Sequence, residues 1–79
     1  MDWHKIMGHI RNARRHGLYE VDFCCLLDAA RRRDAVLVRL HCLRIKTVLM
    51  ARHTLPRLCR IEIDCILIRI PDPSPGVSA

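Results

Sequence analysis

Apolar residues near the start of the chain recur every three or four positions, which is the spacing of one face of an α-helix. Asp2 precedes this pattern and is suited to be the N-cap. Arg14 and Arg15 would lie in the last turn, where positive charge favours the exposed carbonyl groups, and Gly17 can adopt the left-handed conformation that ends a helix. These signals predict a first amphipathic helix. Its apolar face consists of Trp3, Ile6, Met7, Ile10 and Ala13.

The next segment, "EVDFCCLLDAARRRD", predicts a second helix. Glu20 and Asp22 lie at its start and Arg31 to Arg33 at its end, which is the order of charge that a helix dipole favours. With Gly17 between them, the two segments predict a helical hairpin. The apolar face of the second helix consists of Phe23, Leu26, Leu27 and Ala30.

From residue 35 the pattern changes to local alternation among β-branched and apolar residues, which favours a strand. Val36, Val38 and Leu40 follow this alternation, but its phase slips near Leu43. A β-bulge would explain the slip, and so would a helix instead of a strand, because short apolar runs are ambiguous. Taken as a helix, the segment has one apolar stripe, made of Val36, Leu40, Leu43, Thr47 and Met50.

A turn and a second alternating segment follow. Pro56 in "ARHTLPR" predicts the turn, and Ile61, Ile63 and Cys65 then alternate with charged residues, as in a strand. Residues 71–79 contain three prolines and no apolar periodicity, which predicts a disordered Pro-rich tail. The predicted fold is therefore α+β. A helical hairpin and a β-hairpin would form one small basic domain over residues 1–70.

A chain of 79 residues buries a limited core, and a lone β-hairpin is marginal in water. The uncharged run from Cys65 to Ile68 would be a hazardous exposed edge. We therefore expect two copies to pair through this edge as a homo-oligomer, most simply a homodimer.

The formal net charge is +6, and every basic residue except Lys5 and Lys46 is an arginine. Guanidinium groups match phosphate and carboxylate geometry, which favours nucleic acid or an acidic protein as partner. Because aromatic residues for base stacking are few, contact with the backbone phosphates is expected, with double-stranded RNA as one such form. Helix ends and a compositional arginine bias would also explain the clusters. The candidate nucleic-acid-binding residues are Arg11, Arg14, Arg15, Arg31, Arg32 and Arg33.

The alternative function is a protein–protein interaction module. The small size, arginine bias and Pro-rich end of the chain are typical of viral or phage accessory proteins. The surface would be the apolar face of the first helix or the edge of the last strand. That first helix, with Trp3 at its start, also has some character of a membrane-surface helix. The candidate interaction residues are Trp3, Ile6, Met7, Ile10, Ile66 and Ile68.

Other functions find less support. Acidic residues on the second helix would repel DNA in a helix-turn-helix, and no glycine-rich loop or assembled nucleophile suggests an enzyme or a cofactor. The five cysteines lack the short spacing of a zinc site, so no metal is expected. Their odd number, without a secretory signal or a membrane-length apolar run, predicts an intracellular protein. The residues worth testing for a metal are Cys24, His41, Cys42, Cys59 and Cys65.

Overall fold

The computed structural model describes residues 1–71, and these residues form four α-helices. The first two helices confirm the predicted helical hairpin. The predicted β-hairpin is wrong, because both of its segments are helical and no strand occurs in residues 1–71. The domain is therefore all-helical rather than α+β, and the predicted tail lies, apart from Pro71, outside the described residues. The helices are α1 (Trp3–Arg15), α2 (Glu20–Arg31), α3 (Ala35–Ala51) and α4 (Arg57–Arg69).

Helix α3 is apolar on two opposite faces, and this double pattern explains the strand-like alternation. Val38 and Cys42 are buried in the core, whereas Val36 and Leu40 are exposed. Two helical stripes about 150° apart interleave here, so that every second residue is apolar. The phase slip at Leu43 is the three-residue step of the outer stripe. Period-two and helical patterns are therefore superimposed in this segment.

Helix α4 has the same double character. Ile63 and Ile66 are fully buried, whereas Ile61 and Ile68 are exposed on the opposite side of the helix. The alternation that predicts a strand over residues 61–67 thus combines one stripe that packs into the core with another that faces outward.

The four helices form a ring. Each helix packs against the next one along the chain, and the contact of α1 with α4 closes the ring. Short loops send each helix back in the opposite direction. At one end of the bundle, the Arg33 guanidinium lies over the Trp3 ring, and Arg39 Nη1 donates to the Ile70 carbonyl. At the other end, Gly17 after α1 lies against Pro56 before α4.

The core between the helices is aliphatic, as the scarcity of aromatic residues requires. No polar or charged side chain in residues 1–71 is buried. Fifteen apolar residues fill the interior, and each helix contributes residues spaced three or four apart. The largest fully buried side chains are Ile6, Ile10, Leu18, Leu26, Ile45, Ile63 and Ile66.

Aspartate side chains cap the starts of α1 and α3, and backbone amides close the ends of α1, α2 and α3. The predicted N-cap Asp2 accepts a hydrogen bond from the Lys5 amide, and Asp34 caps α3 in the same way. These three helices also end in the same motif, in which the residue after the C-cap has positive φ and two amides bond back to the last turn. The positive-φ residues are Gly17, Arg33 and His53.

Candidate functional site

The most prominent surface feature is an exposed apolar stripe along α3, the longest helix. Val36, Leu40, Leu43 and Met50 are between 37% and 58% exposed, and Thr47 completes the row. Their spacing alternates between four and three residues, which is the spacing of the a and d positions in a coiled-coil heptad. We call these five residues the α3 stripe. Such an exposed apolar row, on a helix whose other face packs into the core, is a candidate docking surface.

Basic residues flank the α3 stripe on both sides, at the heptad positions e and g that border a helix–helix contact. Arg44 lies on the side of α2, where its guanidinium bonds Asp22 at 3.0 Å. Arg39 and Lys46 lie on the side of α4, and Lys46 Nζ is 2.6 Å from Asp64. No acidic residue lies within α3 itself. The border therefore has three basic groups against two acidic neighbours, a net charge of +1, and Arg44 and Lys46 are each in an ion pair.

A second exposed row follows α4. Leu58 and Ile61 are about half exposed, and Ile68, at 79%, is the most exposed large apolar residue in the described chain. With the partly buried Cys65 they follow a three–four–three spacing, again that of a and d positions. We call these four residues the α4 stripe. The sequence prediction included Ile68 but missed Leu58 and Ile61, although their heptad spacing was readable beside the alternation.

The predicted arginine clusters do not form one surface. Arg11, Arg14 and Arg15 lie in the second half of α1, whereas Arg31 to Arg33 lie where α2 ends, beside the start of α1. At 1.5 Å per residue, the length of α1 separates the two clusters by roughly 15–20 Å. A ligand contacting both would have to extend along the bundle.

Local contacts also use three of the six predicted arginines. Arg14 Nη1 donates to the Leu18 carbonyl at 2.7 Å and holds the loop that follows α1. Arg32 pairs with Asp28 one turn earlier at 2.9 Å. Arg33 has a φ of 59° and places its guanidinium 5.8 Å from the centre of the Trp3 ring. Arg32 and Arg33 therefore belong to the structure that ends α2, whereas Arg11, Arg15 and Arg31 are exposed and have no such contacts in the described residues.

The predicted apolar interaction surface is divided between core and surface. Ile6 and Ile10 are fully buried under α4 and α2, and Ile66 is fully buried on α4, so none of them can contact a partner in the folded domain. Trp3 and Met7 are partly buried at the edge of the core. Because the strand edge that was to hold Ile66 and Ile68 does not exist, pairing through a β-edge is also wrong.

A shallow cavity of about 310 Å³ lies where α3 passes into α4. His53, Arg57 and Arg60 line it together with Met50 and Leu55. Three basic side chains around apolar walls suit an anion with an apolar part, although Arg60 also faces Asp64 at 3.8 Å. All five residues lie within positions 50–60, and sequence reasoning missed the site because it predicted strands on both sides of this turn, where the structure has the end of α3 and the start of α4.

Most carboxylates in residues 1–71 have an assigned structural role. Two of these carboxylates, those of Asp2 and Asp34, cap helices. Between α4 and α1, Glu62 Oε2 lies 2.7 Å from His9 Nδ1. Glu20 is the one acid of the described part without a cap or an ion pair. The unpaired surface charge of this part of the chain is therefore almost entirely positive. The paired acids are Asp22, Asp28, Glu62 and Asp64.

The cysteines are distributed over three helices and are all free. Cys42 and Cys59 are buried in the core, and burial raises the pKa of Cys42 to about 12 and that of Cys59 to about 11, so both stay neutral thiols. Cys24 is exposed. Across the four described helices and their loops, no three histidine, cysteine or acidic residues converge as a metal site would need.

Two further findings concern the whole described chain. None of its four helices is both long enough and apolar enough to cross a membrane. Comparison with protein-family models, curated proteins and solved structures finds no match.

Proposed function

We propose that this protein is a protein-interaction module whose α3 stripe binds an acidic amphipathic helix of a partner. The observation that carries the proposal is the exposed heptad row of Val36, Leu40, Leu43 and Met50 on a helix that is already folded and supported from behind. A phosphate backbone offers no apolar surface to cover this row, whereas the apolar face of a partner helix would bury it.

The charge around the stripe specifies the partner. Residues at e and g positions decide which helices pair, and here Arg39, Arg44 and Lys46 border the stripe. A partner helix with Leu or Ile at its a and d positions and Glu at e and g would match both patterns. A second copy of α3 would place Arg39 opposite Arg44 in a parallel pair, which like-charge repulsion disfavours. The stripe therefore favours a different, acidic chain.

Synthetic peptides test the proposal directly. One peptide has three heptads with Leu at a and d and Glu at e and g, and its twin has Lys at e and g. Isothermal titration at moderate salt should show binding of the Glu peptide, with a Kd of roughly micromolar order, and at least tenfold weaker binding of the Lys twin. Equal affinity for both peptides, or none for either, would refute the charge argument.

Matched variants locate the contact. Leu40→Asp puts a charge on the most exposed apolar residue of the stripe and should weaken binding at least tenfold. Val21→Asp is the control, because Val21 is an even more exposed apolar residue and lies on α2, outside the stripe. Both residues are exposed, so both variants should keep the helical circular dichroism of the parent chain. Equal loss in the two variants would show that the stripe is not the site.

Backbone binding to nucleic acid is the second candidate function, and the basic cavity of His53, Arg57 and Arg60 favours it together with the unpaired arginines. Binding of labelled double-stranded RNA should then weaken by orders of magnitude as salt rises, because counterion release drives it. Charge reversal at Arg11 and Arg31 should reduce it. Salt-insensitive or undetectable RNA binding would remove this candidate.

An intracellular setting accompanies both candidates. Five free cysteines, two of them in the core, favour a reducing compartment, where thiols stay unpaired. Mass spectrometry of the thiols in protein extracted under alkylating conditions tests this, and a quantitative disulfide would contradict it.

A further inference from the structure

The α4 stripe has a different border from the α3 stripe, and this border is self-complementary. If Leu58 and Cys65 are a positions and Ile61 and Ile68 are d positions, the bordering residues alternate in charge. The g positions are then occupied by Arg57 and Asp64, and the e positions by Glu62 and Arg69.

In a parallel pair of helices, each g residue faces the e residue five positions later on the other chain. Arg57 of one copy would then face Glu62 of the second copy, and Asp64 would face Arg69. Both contacts join opposite charges, and the two-fold axis repeats each of them. An antiparallel pair with Ile61 opposite Cys65 would instead bring Glu62 of one copy near Glu62 of the other, and Asp64 of one copy near Asp64 of the other.

We propose that the protein forms a parallel homodimer through the α4 stripe. Ile68, at 79% exposure, and the half-exposed Leu58 and Ile61 supply the apolar contact. The surface is distinct from the α3 stripe, so this inference stands independently of the proposed function. The β-edge that the sequence suggested for pairing is replaced by a helix ridge.

Contacts within the chain leave room for the new ion pairs. Glu62 Oε2 already meets His9, and Asp64 meets Lys46 and Arg60, but each carboxylate can accept from several donors. Arg57 and Arg69 are exposed. Helix α4 is held in place by the bundle, so pairing does not have to order a disordered segment.

The size of the contact limits its strength. A short apolar row and its border would bury on the order of 400 Å² per chain, about half of what a standard stable interface buries on each partner. We therefore expect a reversible dimer whose population rises with concentration. Analytical ultracentrifugation should show this rise, and a chain that stays monomeric up to about 1 mM would overturn the proposal.

Charge reversal tests the border. Arg57→Glu with Arg69→Glu would place four pairs of like charges across the dimer and should weaken dimerisation at least tenfold. Arg11→Glu with Arg31→Glu makes the same change in net charge at exposed sites away from α4 and is the matched control. Equal dimerisation of the two double variants would contradict the predicted ion pairs.

Cys65 reports the orientation, because in a parallel pair it faces Cys65 of the second copy. A chain with Cys24→Ser and Cys25→Ser keeps Cys65 as its accessible thiol, since Cys42 and Cys59 are buried. Diamide, which takes up two hydrogens as two thiols join, should cross-link this chain at least tenfold faster than one that keeps Cys24 and has Cys25→Ser and Cys65→Ser. Equal rates would overturn the parallel arrangement.

A mixing experiment separates the two orientations. Ile61→Cys in a chain lacking Cys24, Cys25 and Cys65 should also cross-link to itself, because d positions face each other in a parallel pair. Cross-linking that appears only when this variant is mixed with the Cys65 chain would establish the antiparallel pair and refute the proposal.

Discussion

The stability of the domain should depend on which residue follows each of α1, α2 and α3, because these three helix ends share one backbone motif. Glycine at these positions should relieve backbone strain, and alanine in place of glycine should create it. His53 follows α3 with a φ of 55° and an exposed side chain. An L-residue in this left-handed region costs about 1–2 kcal/mol of stability, which glycine avoids. Glycine also makes the unfolded chain more flexible, and this lowers stability by about 0.4–1 kcal/mol. His53→Gly should therefore raise the free energy of unfolding by roughly 0.5–1 kcal/mol, or about 3–6 °C in Tm for a domain of this size.

The two related positions differ from His53 in what surrounds them. Arg33 has nearly the same φ, but glycine there also removes the guanidinium from the Trp3 ring, a contact of about 0.5–1 kcal/mol, so Arg33→Gly should be close to neutral. Gly17 has a φ of 108°, and an added Cβ would lie 3.0 Å from Pro56 Cγ. Gly17→Ala should therefore destabilise the domain by about 2 kcal/mol or more.

Urea unfolding followed by circular dichroism measures all three changes. The control is Arg52→Gly, one residue before His53 at an ordinary φ of −89°, where glycine should destabilise by about 0.5–1 kcal/mol. A destabilised His53→Gly, or a neutral Gly17→Ala, would refute the reasoning from backbone conformation.

Three other changes test the core and the helices. Gly8→Ala should stabilise α1 by about 0.5–1 kcal/mol in thermal unfolding, because no atom lies within 4 Å of the added Cβ; a loss would contradict this. Ile63→Ala should cost about 2–5 kcal/mol in urea, and a cost below 1 kcal/mol would show a loose core. Because burial raises the pKa values of Cys42 and Cys59, the unfolded chain ionises first as pH rises, so stability should be complete below about pH 8 and lower by roughly 2 kcal/mol at pH 10; a constant Tm would disprove it.

The first half of the fold could be predicted from the sequence because each helix there has one apolar face and clear end signals. Asp2 and Gly17 mark the ends of α1 as predicted. The second half could not be predicted in the same way. Apolar residues on both faces of α3 and α4 gave period-two alternation, and the N-cap Asp34 was masked by the arginines before it.

The candidate site was harder to predict than the helices. The arginine clusters were visible in the sequence, but only the antiparallel course of α1 and α2 places them at opposite ends of the bundle. Burial separates the predicted apolar interaction residues, since Ile66 lies in the core and Ile68 is exposed. Which of two apolar stripes faces inward depends on neighbouring helices, and local periodicity alone carries no information about it.

The ring arrangement of the helices also shapes how the chain folds. Three of its four helix–helix interfaces join consecutive helices, and only α1 against α4 joins distant parts of the chain. Such low contact order is typical of domains that fold within microseconds to milliseconds. The start of α1 and the end of α4 lie at the same end of the bundle, so a circular permutant opened between α2 and α3 would convert the distant interface into a local one. That permutant should fold at least as fast as the parent chain, with closure between α2 and α3 as its late step.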